Sequence, residues 1–204
     1  YVHFLATLSA IYIIIFLVGS FTGLLSVFYI WKTQAILNPI ILVLFLGMFL
    51  AMLSIIIFSP KIPETKKNWI NRFIKVINGW HLIKNNKKVV FSVALISAIQ
   101  LVLGTINMMI LYYIFNIQIN FFQALFIASI GSIAILVSLT PGNLGVGDAI
   151  NVFSASVIGI GLTEAVAATV LGRTINLVLI FTLGPIFSYI VLKHKPKNEI
   201  HPKK

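Results

Sequence analysis

Apolar residues fill this chain in long runs, and short polar breaks cut those runs into six segments. An α-helix rises about 1.5 Å per residue, so roughly 20 apolar residues cross a ~30 Å hydrocarbon core. The pattern predicts hydrophobic helices near 3–31, 38–59, 88–115, 120–138, 148–160 and 163–193. Lys32, Thr33, Gln34 and the Asn38-Pro39 pair mark the first turn, because proline can open a helix without losing a needed donor. Pro60 and Pro63 close the second helix, and Gly19-Ser20 marks a point for tilt or bending in the long first one. The expected fold class is all-α, a polytopic transmembrane helical bundle.

The pattern changes over 64–85. Trp69, Ile70, Phe73, Ile74, Ile77 and Trp80 recur at helical spacing, with Asn68, Asn71, Arg72, Lys75 and Asn78 between them. This predicts an interfacial amphipathic helix. It either gathers anionic lipid or merely connects two spans, with its tryptophans at headgroup depth.

Composition excludes a soluble domain: 59% of residues are hydrophobic and 9% charged, and the mean hydropathy is +1.05. The net charge of +11 is unevenly placed. Lys61, Lys66, Lys67, Arg72, Lys75, Lys84, Lys87 and Lys88 follow the second helix, and Lys193, Lys195, Lys197, Lys203 and Lys204 form a basic tail. The positive-inside rule assigns the 60–88 loop and the tail to the cytoplasmic side of a cell membrane. The charge therefore reads as topology and as attraction to anionic headgroups, and no nucleic-acid partner is expected. The absence of cysteine removes thiolate metal sites and thiol nucleophiles. The chain opens Tyr1-Val2-His3 without methionine and enters an apolar run at once, so further upstream sequence is expected.

Two cytoplasmic ends require an even number of crossings among the last four segments. Either all four span, or 88–115 and 163–193 span while 120–138 and 148–160 form a re-entrant hairpin. The 148–160 segment is only about 20 Å long as a helix, which favours the hairpin.

The run Leu139-Thr-Pro-Gly-Asn-Leu-Gly-Val-Gly-Asp148 interrupts the hydrocarbon pattern. Irregular backbone at membrane depth is tolerated where protein or a wet cavity satisfies its polar groups. Pro141, Gly142, Asn143, Gly145 and Gly147 would let backbone amides approach a ligand. Asp148 then opens the next helix, where it also suits an N-terminal cap; Thr163 and Glu164 suit the same role one helix later. Arg173 lies about ten residues inside the last helix, where an unpaired charge is costly. Glu164 is nine positions away and half a turn out of phase, leaving Asp148 as the expected counter-charge.

Thr169, Arg173 and Asn176 share one helical face. A second polar stripe, Ser97, Gln100, Gly104 and Asn107, either joins helices or lines a cavity. Gly19/Gly23, Gly47/Ala51, Ala124/Ala128/Ser132, Ala155/Gly159 and Ala168/Gly172 predict close packing faces. His3, His81, His194 and His201 are too scattered for a metal site or a base. The glycine-rich run lacks the ending of a P-loop, and no serine has a neighbouring base. No catalytic residue, metal or cofactor is expected.

The run 139–148, followed by Gly159-Ile160-Gly161-Leu162-Thr163-Glu164-Ala165, Ala167-Ala168 and Arg173, resembles the flippase-like transmembrane domain of the lysylphosphatidylglycerol synthase family. The resemblance covers the chain as the later part of that domain, with its specific residues in 139–176. Asp148 stands where that family usually has glutamate, and Asn143 where it usually has glycine. The resemblance implies binding and movement of an amino-acylated or glycosylated phospholipid between leaflets. The lysyltransferase activity of family relatives belongs to a soluble domain not found in these 204 residues. On this reading Pro141, Gly142, Asn143, Gly145, Gly147, Asp148, Arg173, Asn176, Gln100 and Asn107 contact lipid. The expected partners are membrane lipids, with a membrane transferase or a second copy of the chain as further candidates. The alternatives are a non-transporting partner of such a transferase and an ion-coupled solute transporter.

Overall fold

A computed structural model describes residues 2–35, 38–58, 62–63, 71, 74, 78, 80–81, 83–134 and 145–193, with backbone alone at 2–10 and 191–192. The described residues form helices α1 (Val2–Gln34), α2 (Pro39–Phe58), α3 (Lys87–Ile114), α4 (Phe121–Ala134), α5 (Val146–Val157) and α6 (Leu162–Lys193), and no strand occurs among them. Four helices are long and apolar enough to cross a membrane: α1, α2, α3 and α6.

Local chemistry sets the helix ends. Asn38 caps α2, its Oδ1 accepting the Ile40 and Ile41 N–H groups at 3.1 and 3.3 Å, with Pro39 in the first helical position. Asn86 caps α3 through the Val89 N–H. At the far end of α3, Asn116 adopts φ 57°, and the N–H groups of Asn116 and Ile117 return to the Tyr113 and Tyr112 carbonyls. α4 opens with a reciprocal box: Asn120 Oδ1 accepts the Gln123 N–H and Gln123 Oε1 accepts the Asn120 N–H, both at 2.9 Å. α5 stops at Gly159, whose φ of 88° permits the double return of Gly159 and Ile160 N–H groups to the Ser156 and Ala155 carbonyls.

The short α4 is the centre of the bundle, packing against α1, α3 and α5. Ala124, Phe126, Ile127, Ser129 and Ala134 are all buried. Its seam with α1 is made of small residues and hydroxyls. Ser20, Thr22 and Ser26 donate to the Phe16, Val18 and Thr22 carbonyls, and Thr22 Oγ1 lies 3.0 Å from Ser129 Oγ. Gly19 lies against Ser132, and Gly23 receives the ring of Phe45 from α2. That ring is fully buried and meets Phe126 edge-on at 6.3 Å.

One expectation changes here. Gly47 and Ala51 face outward, with open space over Gly47, because α2 turns Phe45 and Ile41 toward the core. Trp80 is buried with Ile83 against Ile13 and Ile14 of α1, while Asn78 bonds both backbone groups of Ile62. Indole burial against apolar side chains holds this part of the 64–85 segment on the bundle. Trp69, Ile70, Phe73 and Ile77 lie outside the described residues.

Candidate functional site

Asp148 and Arg173 meet because of their register about one turn. α5 and α6 are joined by the short 158–161 connection and pack together. Asp148 lies twelve residues before Ile160 and Arg173 thirteen after it, so both sit about 18–20 Å from the turn. The small faces of Ala155, Ala165 and Ala168, all buried, bring the helices close.

The carboxylate of Asp148 serves two partners. Oδ1 accepts from Arg173 Nη2 at 2.5 Å and from Nε at 3.2 Å. Oδ2 accepts the Gly145 N–H at 3.1 Å, where φ of 80° turns the chain into α5. Capping and charge pairing, which the sequence offered as alternatives, therefore coexist in one side chain. The pair is half-buried, at 26% exposure for Arg173 and 33% for Asp148. It faces a cavity of about 100 Å³ lined by Asn107, Tyr112, Asn151, Thr169 and Asn176 together with the pair itself.

A larger cavity of about 340 Å³ adjoins it, sharing Asn107, Met108 and Asn151. Ser97, Gln100 and Gly104 line it from α3, and Gly131 and Ser132 from α4. The two polar stripes read from the sequence thus converge on adjoining chambers, with Asn107 between them. The hydroxyls of Ser97 and Ser132 donate to the Val93 and Ser129 carbonyls. By contrast, Gln100, Asn107, Asn151 and Asn176 make no side-chain hydrogen bond to the described structure. Gln100, Asn107 and Asn176 are exposed and Asn151 is partly buried, so water or a ligand can reach all four amides.

Several expected residues lie elsewhere. Gly145 has its N–H taken by Asp148, and Gly147 is buried in the first turn of α5. Pro141, Gly142 and Asn143 lie outside the described residues. The helix α6 begins at Leu162, so Glu164 rather than Thr163 reaches back, its carboxylate lying over Gly161. It lines neither cavity. Asn151 was missed by the sequence reading, although its place three residues after Asp148 puts both on one face of α5.

The helices define an integral membrane protein, with a paired charge beside a polar cavity between three of them. The family described as "Lysylphosphatidylglycerol synthase TM region" matches residues 2–184, and the chain belongs to it. No curated protein and no solved structure matches the chain.

Proposed function

We propose that this domain binds the headgroup of a phospholipid in the cavity between α3, α5 and α6 and moves the lipid between leaflets of the cell membrane. The observation that carries this reading is the Asp148–Arg173 pair opening onto a chamber whose amides have no described protein partner. A guanidinium is suited to a phosphate, and Thr169 and Asn176 on the same face of α6 supply neutral polar groups beside it. Asp148 holds the guanidinium toward the chamber while its other oxygen fixes the start of α5.

In the accompanying topology, α4 and α5 enter and leave the membrane from the side opposite the basic loop and tail. At 12 residues α5 extends about 18 Å, too short for a ~30 Å core, which supports re-entry. The Asp148 end of α5 then lies deep in the membrane, and the Gly159 turn lies near the surface.

Reconstitution into liposomes with acyl-labelled phosphatidylglycerol tests the reading by the fraction of label reaching an impermeant quencher. Wild type should equilibrate both leaflets, and Arg173→Ala and Asp148→Ala should be at least about tenfold slower, the scale of one lost charge-assisted contact. Full activity in both variants would discard the assigned roles.

A further inference from the structure

We infer that Tyr112 binds the ligand of the Arg173 cavity, its hydroxyl donating to an oxygen of the phosphate group that the guanidinium meets. This rests on the phospholipid reading above for the source of that phosphate, and adds a binding residue to it.

Two neighbouring tyrosines near the end of α3 meet opposite surroundings. Tyr113 is 70% exposed, whereas Tyr112 is 2% exposed and belongs to the apolar core that includes Ala165 and Ala168 of α6. A buried tyrosine hydroxyl ordinarily has a partner. That of Tyr112 makes no hydrogen bond among the described residues. It is not sealed in either, since His81 Nε2 is the one buried side-chain atom without a partner among the described residues. The hydroxyl therefore keeps access to open space, and the space that Tyr112 borders is the cavity of about 100 Å³ beside Asp148 and Arg173. Such a space holds several waters or one phosphate group.

The crossing of α3 and α6 accounts for its position. A Cβ at residue 172 would come within 2.9 Å of Leu111 Cδ1, so Gly172 lets the two helices lie close. Tyr112 and Arg173 each follow that contact by one residue, and both line the cavity. The Tyr112 carbonyl accepts the Phe115 and Ile117 N–H groups at 3.0 and 3.1 Å, which anchors its backbone where α3 ends. With ring and backbone both held, the hydroxyl is positioned before anything binds, and little freedom is lost on binding.

The other groups of the lining select the role. Asp148 Oδ1 is engaged by Arg173 and Oδ2 by the Gly145 N–H, while the Thr169 hydroxyl donates to the Ala165 carbonyl. A hydroxyl beside a guanidinium donates best to an acceptor that the positive charge also attracts, and a phosphate oxygen is such an acceptor. Unlike the exposed Asn107 and Asn176, Tyr112 does not leave bulk water to make that bond, so it contributes more to affinity.

The test uses the full chain purified in detergent, as wild type and as Tyr112→Phe, which removes the hydroxyl alone. The probes are short-chain phosphatidylglycerol, inorganic phosphate and short-chain diacylglycerol, which has no phosphate. The Kd of phosphatidylglycerol should rise about tenfold in the variant, the scale of a hydrogen bond to a charged group, with diacylglycerol binding unaffected. Tm without ligand should stay the same or rise, because no described bond is lost. Tyr112-dependent binding of inorganic phosphate without binding of phosphatidylglycerol would support the hydroxyl's role and move its ligand from lipid to solution. An unchanged Kd for phosphatidylglycerol, or an equal rise for diacylglycerol, would overturn the assignment while leaving phospholipid binding standing. A lowered Tm without ligand would overturn it too, by showing that the hydroxyl serves the fold. Binding of none of the probes by wild type would instead remove the phospholipid reading, and this role with it.

Discussion

Two polar seams run through this bundle and are put to different use. Between α1 and α4, Ser20, Thr22, Ser26 and Ser132 donate to carbonyls of their own helices, and Thr22 pairs with Ser129 across the seam. Between α3, α5 and α6, Asn107, Asn151 and Asn176 have no such described partner and border a cavity beside an ion pair. Short hydroxyls satisfy themselves locally and let helices approach closely, whereas longer amides project beyond their helix and need something opposite. The first seam holds α4 in place, and the second borders the cavity proposed to seat a headgroup.

The sharpest way to break this contrast is to change the charge without the cap. Asp148→Asn keeps an oxygen for the Gly145 N–H but removes the counter-charge of Arg173. Lipid movement should fall about tenfold and the uncompensated Arg173 charge should also lower Tm, whereas Asp148→Asn together with Arg173→Gln, which removes both charges, should lose lipid movement at near wild-type Tm. An equal loss of folding in the double variant would place this pair with the structural seam.

Next in size is an effect on folding alone. Gly23→Ala drives a methyl into the buried Phe45 ring and should cost about 1–3 kcal/mol, read as a lower Tm in detergent. Gly47→Ala, over open space, should leave Tm unchanged or slightly raised by helix propensity. Equal destabilisation by both would mean that the outer face of α2 is also packed.

The smallest expected effect is that of Thr22→Val, which removes the Thr22–Ser129 hydroxyl contact at nearly constant volume. The loss should be about 0.6 kcal/mol, typical of a hydrogen bond between membrane helices, with lipid movement intact. A large transport defect with normal stability would show that the two seams are coupled.

Much of this arrangement was legible in the chain. The scarcity of charge inside the apolar segments left Asp148 as the partner of Arg173, and the equal spacing of both from the Gly159–Gly161 break places them at one level. The Asn38-Pro39 pair and Gly159 mark helix ends by mechanisms that act within a few residues. Contacts set by packing between distant segments were less visible. Nothing local in the sequence turns Gly47 and Ala51 outward, since that depends on where Phe45 finds its pocket at Gly23. That Trp80 packs on Ile13 and Ile14 of α1 likewise has no local signal. Tyr112 and Met108 join the site only because α3 lies against α6. Asn151 had a usable signal, since the same-face rule that groups Thr169, Arg173 and Asn176 also groups Asp148 with Asn151.

The chain contains no cysteine, so a single introduced thiol reports its surroundings without interference. Asn107→Cys sits where the two chambers meet. In liposomes it should react with a charged, membrane-impermeant thiol reagent, and added short-chain phosphatidylglycerol should slow that reaction, while Phe181→Cys on the outward surface of α6 should stay unlabelled. Labelling of Phe181→Cys with none at Asn107→Cys, in protein that reacts once unfolded, would contradict a wet headgroup site within the membrane.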